Sequence, residues 1–327
     1  MEPILIAIII IALIFNFLNG IHDSSNIVAT MISSRAFSPR AALGVTAVAE
    51  FCGPFLFGVA VAQTIGRDIV NADAVSMQVI MAALIGGILW NLLTWYLGIP
   101  SSSSHALIGG ILGATVMAAG WGAVQVQGFE KILIALFTSP LIGFAIGFLS
   151  LRLILILAWN ATPRINILFK KGQLVTATAL ALSHGANDAQ KTMGIITLAL
   201  VTGGLQSDFD IPFWVIVSCA ATMSIGTATG GWRLIRTLGA KFYKVKPVDG
   251  FASQFASAAV ILGASMLGGP VSTTQVVSSS IMGVGAGERA NKVRWGVARD
   301  IALAWFLTIP STALVSAGIY WLLIELM

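Results

Sequence analysis

From Ile4 to Leu18, and again from Ile132 to Leu157, the chain carries almost nothing but apolar side chains, and stretches of about 20 such residues recur from one end to the other. A run of this kind crosses the hydrocarbon core of a bilayer as an α-helix. A β-barrel would need strands of about 10 residues alternating outward and inward, and no period of two appears in these runs. Composition agrees: 9% of the 327 residues are charged, against roughly 25% in a soluble domain, and mean hydropathy is +0.92. The chain therefore reads as an all-α polytopic membrane protein, multi-pass in the cell (inner) membrane, with the lipid bilayer as its first partner. Its net charge of +5 gathers in short loops, where it sets orientation and does not point to nucleic acid. The N-terminus lacks the basic region and cleavage site of a signal peptide, so the first span is expected to be retained. Cys52 and Cys219 lie inside apolar runs without metal-ligand spacing and read as packing residues.

Compared with itself, the chain repeats after a shift of about 165 to 170 residues. Gly20 to Asn26 matches Gly185 to Lys191, and Pro100 to His105 matches Pro270 to Gln275. Weaker echoes pair Glu130 with Asp300 and Thr138-Ser139-Pro140 with Thr308-Ile309-Pro310. The expected organisation is a first transmembrane repeat over 1–160, a cytoplasmic linker over 161–172 and a second repeat over 173–327. Each half holds five hydrophobic segments, at 3–32, 41–65, 76–98, 100–119 and 132–158, then 173–200, 211–232, 251–267, 270–286 and 301–325. The fourth of each half opens with Pro and hydroxyl residues and is rich in Gly, which fits a broken crossing or a re-entrant hairpin.

Loop charges invert between the halves. The loop after the first segment holds Arg35 and Arg40, whereas its counterpart holds Asp208 and Asp210. The next pair sets Arg67, Asp68 and Asp73 against Arg233, Arg236, Lys241, Lys244, Lys246 and Asp249. Ten crossings with both termini outside place the strongly basic loops, the linker with Arg164, Lys170 and Lys171, and the loop with Arg289, Lys292 and Arg294 on the inner side. Two inverted-topology repeats, with substrate held near the midplane where they meet, are a common plan of secondary transporters.

Asp23 and Asp188 lie inside apolar spans, where a carboxylate costs about 2.5–3.5 kcal/mol at the bilayer centre. Each follows a Gly and sits among polar residues: Asn16, Asn19, His22, Ser24, Ser25 and Asn26 in one copy, Ser183, His184, Asn187, Gln190 and Lys191 in the other. This clustering predicts helices broken at both positions, whose free ends would bind anions and cations. Ser101 to Ser104 with His105, matched by Ser272, Thr273, Thr274 and Gln275, supply hydroxyl and helix N-terminal donors suited to a tetrahedral oxyanion. The plainer alternative is that these serines cap a helix after Pro100. Ser, His and Asp together raise the possibility of a hydrolase, but the second copy replaces His105 with Gln275 and neither half offers one singular nucleophile, so no enzyme is expected. Glu50 reads either as a proton-relay carboxylate or as a group paired to a neighbouring hydroxyl. Glu130 and Asp300 read as interfacial anchors, and Trp90, Trp95, Tyr96, Trp305 and Trp321 as packing or belt aromatics.

Asn19-Gly20-Ile21-His22-Asp23, Trp90-Asn91 through Pro100 to His105, and His184 to Lys191 together resemble the inorganic phosphate transporter (PiT) family, in particular its bacterial low-affinity branch, over essentially the whole chain. The resemblance implies a secondary symporter of inorganic phosphate, free or as a metal-phosphate complex, with no cofactor beyond a coupling cation. It points to Asn26, Asn187, Ser102, Ser103, Ser104, Ser272, Thr273 and Thr274 for phosphate, and to Asp23 and Asp188 for the coupling ion, including sodium. The family signature reads Gly-Ala-Asn-Asp with a further Asn after two intervening residues; here His22 replaces the first Asn, and Lys191 the later Asn of the second copy. A fixed ammonium at Lys191 disfavours sodium beside it, while His22, Glu50, Asp23 and Asp188 offer proton carriers, so protons are the favoured coupling ion and sodium the alternative. A sulfate or other oxyanion permease on the same scaffold, a passive anion channel and a homodimeric assembly complete the expectations.

Overall fold

The computed structural model describes residues 3–70, 74–236 and 243–326. Asp73 and Lys241 of the loop-charge reading lie outside them. The described chain is helical throughout: α1 (Pro3–Ser33), α2 (Pro39–Leu56), α3 (Ala60–Arg67), α4 (Met77–Leu97), α5 (Ser103–Ala119), α6 (Val126–Leu157), α7 (Ile165–Thr202), α8 (Phe213–Thr229), α9 (Trp232–Arg236), α10 (Pro247–Met266), α11 (Thr273–Glu288) and α12 (Trp295–Leu326).

Local chemistry sets several of these boundaries. Ser38 accepts from the Ala41 amide with Pro39 in the first turn of α2, and Ser76 accepts from the Val79 amide at the start of α4. Gly98, in the left-handed region at φ +68°, ends α4. Pro100 and Pro270 then hold short extended stretches, after which Ser102 and Ser272 cap α5 and α11. The fourth hydrophobic segment of each half is thus the second arm of a helical hairpin, α4 with α5 and α10 with α11. At 17 and 16 residues, α5 and α11 are about 25 Å long, short of the roughly 30 Å hydrocarbon core.

The helices pack crosswise between the halves. α1 lies on α8 and α7 on α2; α5 lies on α12 and α11 on α6. At the first two crossings the backbones nearly touch: a Cβ on Gly20 would stand 2.3 Å from the Met223 carbonyl oxygen, and one on Gly185 would stand 2.2 Å from that of Glu50. Only glycine permits such an approach. A buried polar cluster sits inside an apolar exterior. Asn16, Asp23, Glu50, His184, Asp188 and Lys191 are buried, while Leu141, Leu157 and Leu314 are more than 70% exposed on the outer surface.

Among the described residues, α1, α4, α6 and α12 are long and apolar enough to cross a membrane, and α2 with α3, bent by 75°, makes a fifth candidate. Two expectations are corrected. α1 runs through Asp23, and α7 through Asp188, without a break. Neighbouring helices supply the polar partners, so the backbone ladder need not open; Ser24 and Ser25 donate back to the carbonyls of Ile21 and His22 within the helix. The breaks fall at Phe57–Val59, at Gly230–Gly231 and before the two serine caps. The stretch 161–172, read as a linker, contains the start of α7 at Ile165.

Candidate functional site

The capped ends of α5 and α11 meet the middle of α1 and α7, and the contacts form two matched sets. Around Asp23, Oδ1 accepts from Thr274 Oγ1 at 2.9 Å and from Asn26 Nδ2 at 3.0 Å, while Oδ2 accepts from Ser103 Oγ at 3.1 Å. Around Asp188, Oδ2 accepts from Thr273 Oγ1 at 2.7 Å, and Oδ1 pairs with the Lys191 ammonium. Asn26 also donates to Thr274 Oγ1 at 3.1 Å, just as Lys191 donates to Ser104 Oγ at 2.6 Å. Lys191 therefore stands where Asn26 stands in the other half. It differs in carrying a charge, and its third donor reaches the Val271 carbonyl at 2.8 Å.

A second feature belongs to the Asp188 side alone. His184 lies between two carboxylates, with Nδ1 2.8 Å from Glu50 Oε1 and Nε2 2.9 Å from Asp188 Oδ2. Glu50 comes from α2, which packs on α7. A continuous buried file, Glu50–His184–Asp188–Lys191, results, and all four residues are at most 2% exposed. Ligand atoms of Asp23, His184 and Asp188 lie within 4.8 Å of one another, a donor set of two carboxylate oxygens and a ring nitrogen that fits a cation drawn from both halves.

The structure thus brings together Asp23, Asn26, Ser103, Ser104, Asp188, Lys191, Thr273 and Thr274 from the sequence-predicted set, and Glu50 joins them through His184. Ser102 and Ser272 do otherwise. Their hydroxyl oxygens accept from the amides of His105 at 3.1 Å and Gln275 at 3.4 Å, the capping role. Asn187 turns away from Asp188, donating to Ser265 Oγ at 2.8 Å and to the Gly269 carbonyl at 3.2 Å on the α10–α11 hairpin. His22, its counterpart, contacts Asp23 at 3.2 Å and also lines a cavity of about 60 Å³ with Asn91 and Trp95 of α4. In both halves the residue before the aspartate faces the hairpin of its own half.

Several contributors were not singled out from sequence. His184 counted only as polar surroundings of Asp188. Gln190 accepts from the amides of Val61 and Ala62 and donates to the Gly58 carbonyl, so it ties the α2–α3 break to α7. Trp305, read as a packing or belt aromatic, is buried and donates to the Pro100 carbonyl at 3.2 Å, which fixes the stretch before the α5 cap. Its duplicated surroundings were the available signal; its partner was not.

Ser103, Thr273 and Thr274 each spend their single O–H on one of these two aspartates. An anion arriving at the α5 and α11 caps must compete with Asp23 and Asp188 for Ser103, Thr273 and Thr274. A positive charge on a carboxylate lowers its demand for those donors.

Comparison with known proteins agrees with this chemistry. The Phosphate transporter family matches residues 19–316. A "Probable low-affinity inorganic phosphate transporter" of Bacillus subtilis (strain 168) is 46% identical over 322 residues, covering 97% of this chain and 96% of that protein. One of the same description from Rhizobium meliloti (strain 1021) is 45% identical, with 97% and 96% covered. A solved structure described as the sodium-dependent phosphate transporter superposes with a TM-score of 0.92 at 26% identity, covering 99% of this chain and all of that one. This chain belongs to the phosphate transporter family.

Proposed function

We propose that this protein is a secondary active symporter that carries inorganic phosphate across the membrane, driven by protons. The observation that carries the reading is the sharing of Ser103, Thr273 and Thr274 between two buried carboxylates and the helix caps facing them. Phosphate binds to the hydroxyls and to the first-turn amides of α5 and α11. Protonation of a carboxylate releases those hydroxyls for the anion, so proton and phosphate bind together. The file from Glu50 through His184 to Asp188 supports a proton route, and Lys191 supports the exclusion of sodium from the Asp188 half. Phosphate can also donate a hydrogen bond to a carboxylate, which fully ionised sulfate cannot; this favours phosphate over sulfate.

Two inverted repeats, 1–160 and 173–327, with both termini outside and Lys244 inside, complete the proposal. The matched helix crossings and the inverted loop charges support it. Single cysteines at Asp208 and Lys244, introduced after removal of Cys52 and Cys219, should label from opposite faces with an impermeant reagent. Labelling from one face would remove the inversion.

A second reading, sodium as the coupling ion at Asp23, is favoured by the convergence of Asp23, His184 and Asp188 and by the likeness to a sodium-dependent transporter. Uptake of labelled phosphate into proteoliposomes tests the substrate. Arsenate should compete and sulfate at equal concentration should not; strong sulfate competition would make the protein an oxyanion permease of another kind. Uptake lost when a chelator removes divalent ions would identify a metal-phosphate complex as the cargo. Flux indifferent to every cation gradient would make the protein a passive anion channel.

A further inference from the structure

At the other end of α11 from Thr273 and Thr274, outside the membrane-embedded site, lies a cavity of about 670 Å³ walled by Lys244, Lys246, Arg289, Lys292 and Arg294. The volume falls in the range of small-molecule sites. Its walls are held in place by an ion-pair network. Glu288, the last residue of α11, accepts from Lys246 Nζ at 2.7 Å and from Lys292 Nζ at 2.5 Å, and Lys292 also reaches Asp249 Oδ2 at 2.9 Å. These contacts join the loop before α10 to the end of α11 and to the turn that follows it. Lys292 further lies 4.4 Å from the centre of the Tyr243 ring, and the Tyr243 hydroxyl donates to the Ile281 carbonyl at 3.0 Å. Burial pushes that phenol well above its ordinary range, so it remains a neutral wall and donor.

The charges do not balance. Lys246 and Lys292 are matched by Glu288 and Asp249, whereas Lys244, Arg289 and Arg294 have no ion-pair partner among the described residues. Three unmatched cations therefore converge on one concavity whose frame is fixed by the other two. Positive charge on an inner loop is ordinary and sets topology, but topology alone asks neither for a cavity nor for a frame. Two guanidinium groups present planar forks that match phosphate oxygens, and a cavity of this size exceeds what one tetrahedral ion fills.

We propose that this cavity is a second anion site, separate from the transport site, that binds a molecule carrying two or more phosphate groups. The shared chemistry is a phosphate polyanion, and two sources present it: a soluble polyphosphate-bearing compound, or the headgroup of an anionic lipid such as cardiolipin, which basic pockets beside membrane helices are suited to hold. Neither the substrate nor the coupling ion proposed above enters this inference.

The test uses the purified full chain. In neutral detergent, tripolyphosphate should raise the thermal unfolding midpoint in a saturable manner, beyond sulfate at matched ionic strength. In phosphatidylcholine nanodiscs, addition of cardiolipin should do the same if the lipid is the source. The triple variant Lys244→Gln, Arg289→Gln, Arg294→Gln should lose at least tenfold in affinity for whichever probe binds, while still taking up orthophosphate in phosphatidylcholine vesicles. If the triple variant does not fold, Lys244→Gln alone, on an exposed loop side chain, should weaken binding several-fold. The proposal is overturned if neither probe exceeds sulfate, or if the folded variant binds as tightly as the parent chain.

Discussion

Asp23 and Asp188 occupy the same place in their respective helices, face the same kind of hydroxyl from the opposing caps, and differ in what offsets their charge. Asp23 is held by neutral donors: two hydroxyls and the Asn26 amide, with His22 alongside. Asp188 has a hydroxyl as well, but its charge is met by the Lys191 ammonium and by His184. The contacts around the two aspartates match, and Lys191 places a tethered cation where the other half has Asn26. On the function proposed above, Asp23 is the switch of the cycle, and Asp188 with Lys191 is a fixed element that orients hydroxyls and relays protons.

The largest expected effect separates the two halves by stability. Asp188→Asn leaves the Lys191 ammonium buried without its partner, which should cost about 3–5 kcal/mol and lower the unfolding midpoint in detergent sharply. Adding Lys191→Met should restore most of the loss. An unchanged midpoint in Asp188→Asn would mean that the pair is not the charge balance of the second half. Asp23→Asn, by contrast, should fold with a midpoint near that of the parent chain while abolishing gradient-driven phosphate accumulation. If Asp23→Asn still accumulates phosphate, the switch lies elsewhere.

Next in size come the shared hydroxyls. Ser103→Ala and Thr273→Ala should each weaken phosphate transport, because a lost hydrogen bond to a charged group costs about 1.5–3 kcal/mol, roughly 10- to 150-fold in affinity. Ser102→Ala and Ser272→Ala should instead cost about 1 kcal/mol of stability, as lost caps do. Concentration dependence of uptake, measured beside unfolding midpoints, tells the two classes apart. Equal effects on affinity across all four would return the cap residues to the substrate site.

The smallest effect sharpens the comparison most finely. Lys191→Asn gives the second half the neutral donor of the first. Sodium at constant pH should then stimulate uptake several-fold in the variant and leave the parent chain unaffected. No sodium response in the variant would show that the ammonium is not what keeps sodium from the second half.

The carboxylates and the hydroxyl motifs were legible because each depends on residues close in sequence and occurs twice. Pro100 and Pro270 followed by serines announce a break and a cap whatever surrounds them. Continuity of α1 and α7 was not legible, because a buried polar cluster is satisfied either by opening the helix or by side chains from other helices, and only the packing decides. The same reason hid His184, whose importance comes from Glu50 arriving on α2. It also hid the orientation of Asn187, which is set by Ser265 on α10, 78 residues away. A helix cap and a carboxylate contact draw on the same residue types, so Ser102 and Ser103 could be separated only once their partners were in place.

On the proposed function, a proton acting where a hydroxyl is shared between carboxylate and phosphate drives uptake. Proteoliposomes reconstituted with the unmodified chain, free of sodium and given an inward proton gradient, test it most directly. They should accumulate labelled phosphate above the outside concentration, and a protonophore should abolish that accumulation. Accumulation that survives the protonophore but disappears when sodium is replaced by choline would contradict the claim and make Asp23 and Asp188 ligands of a transported sodium ion.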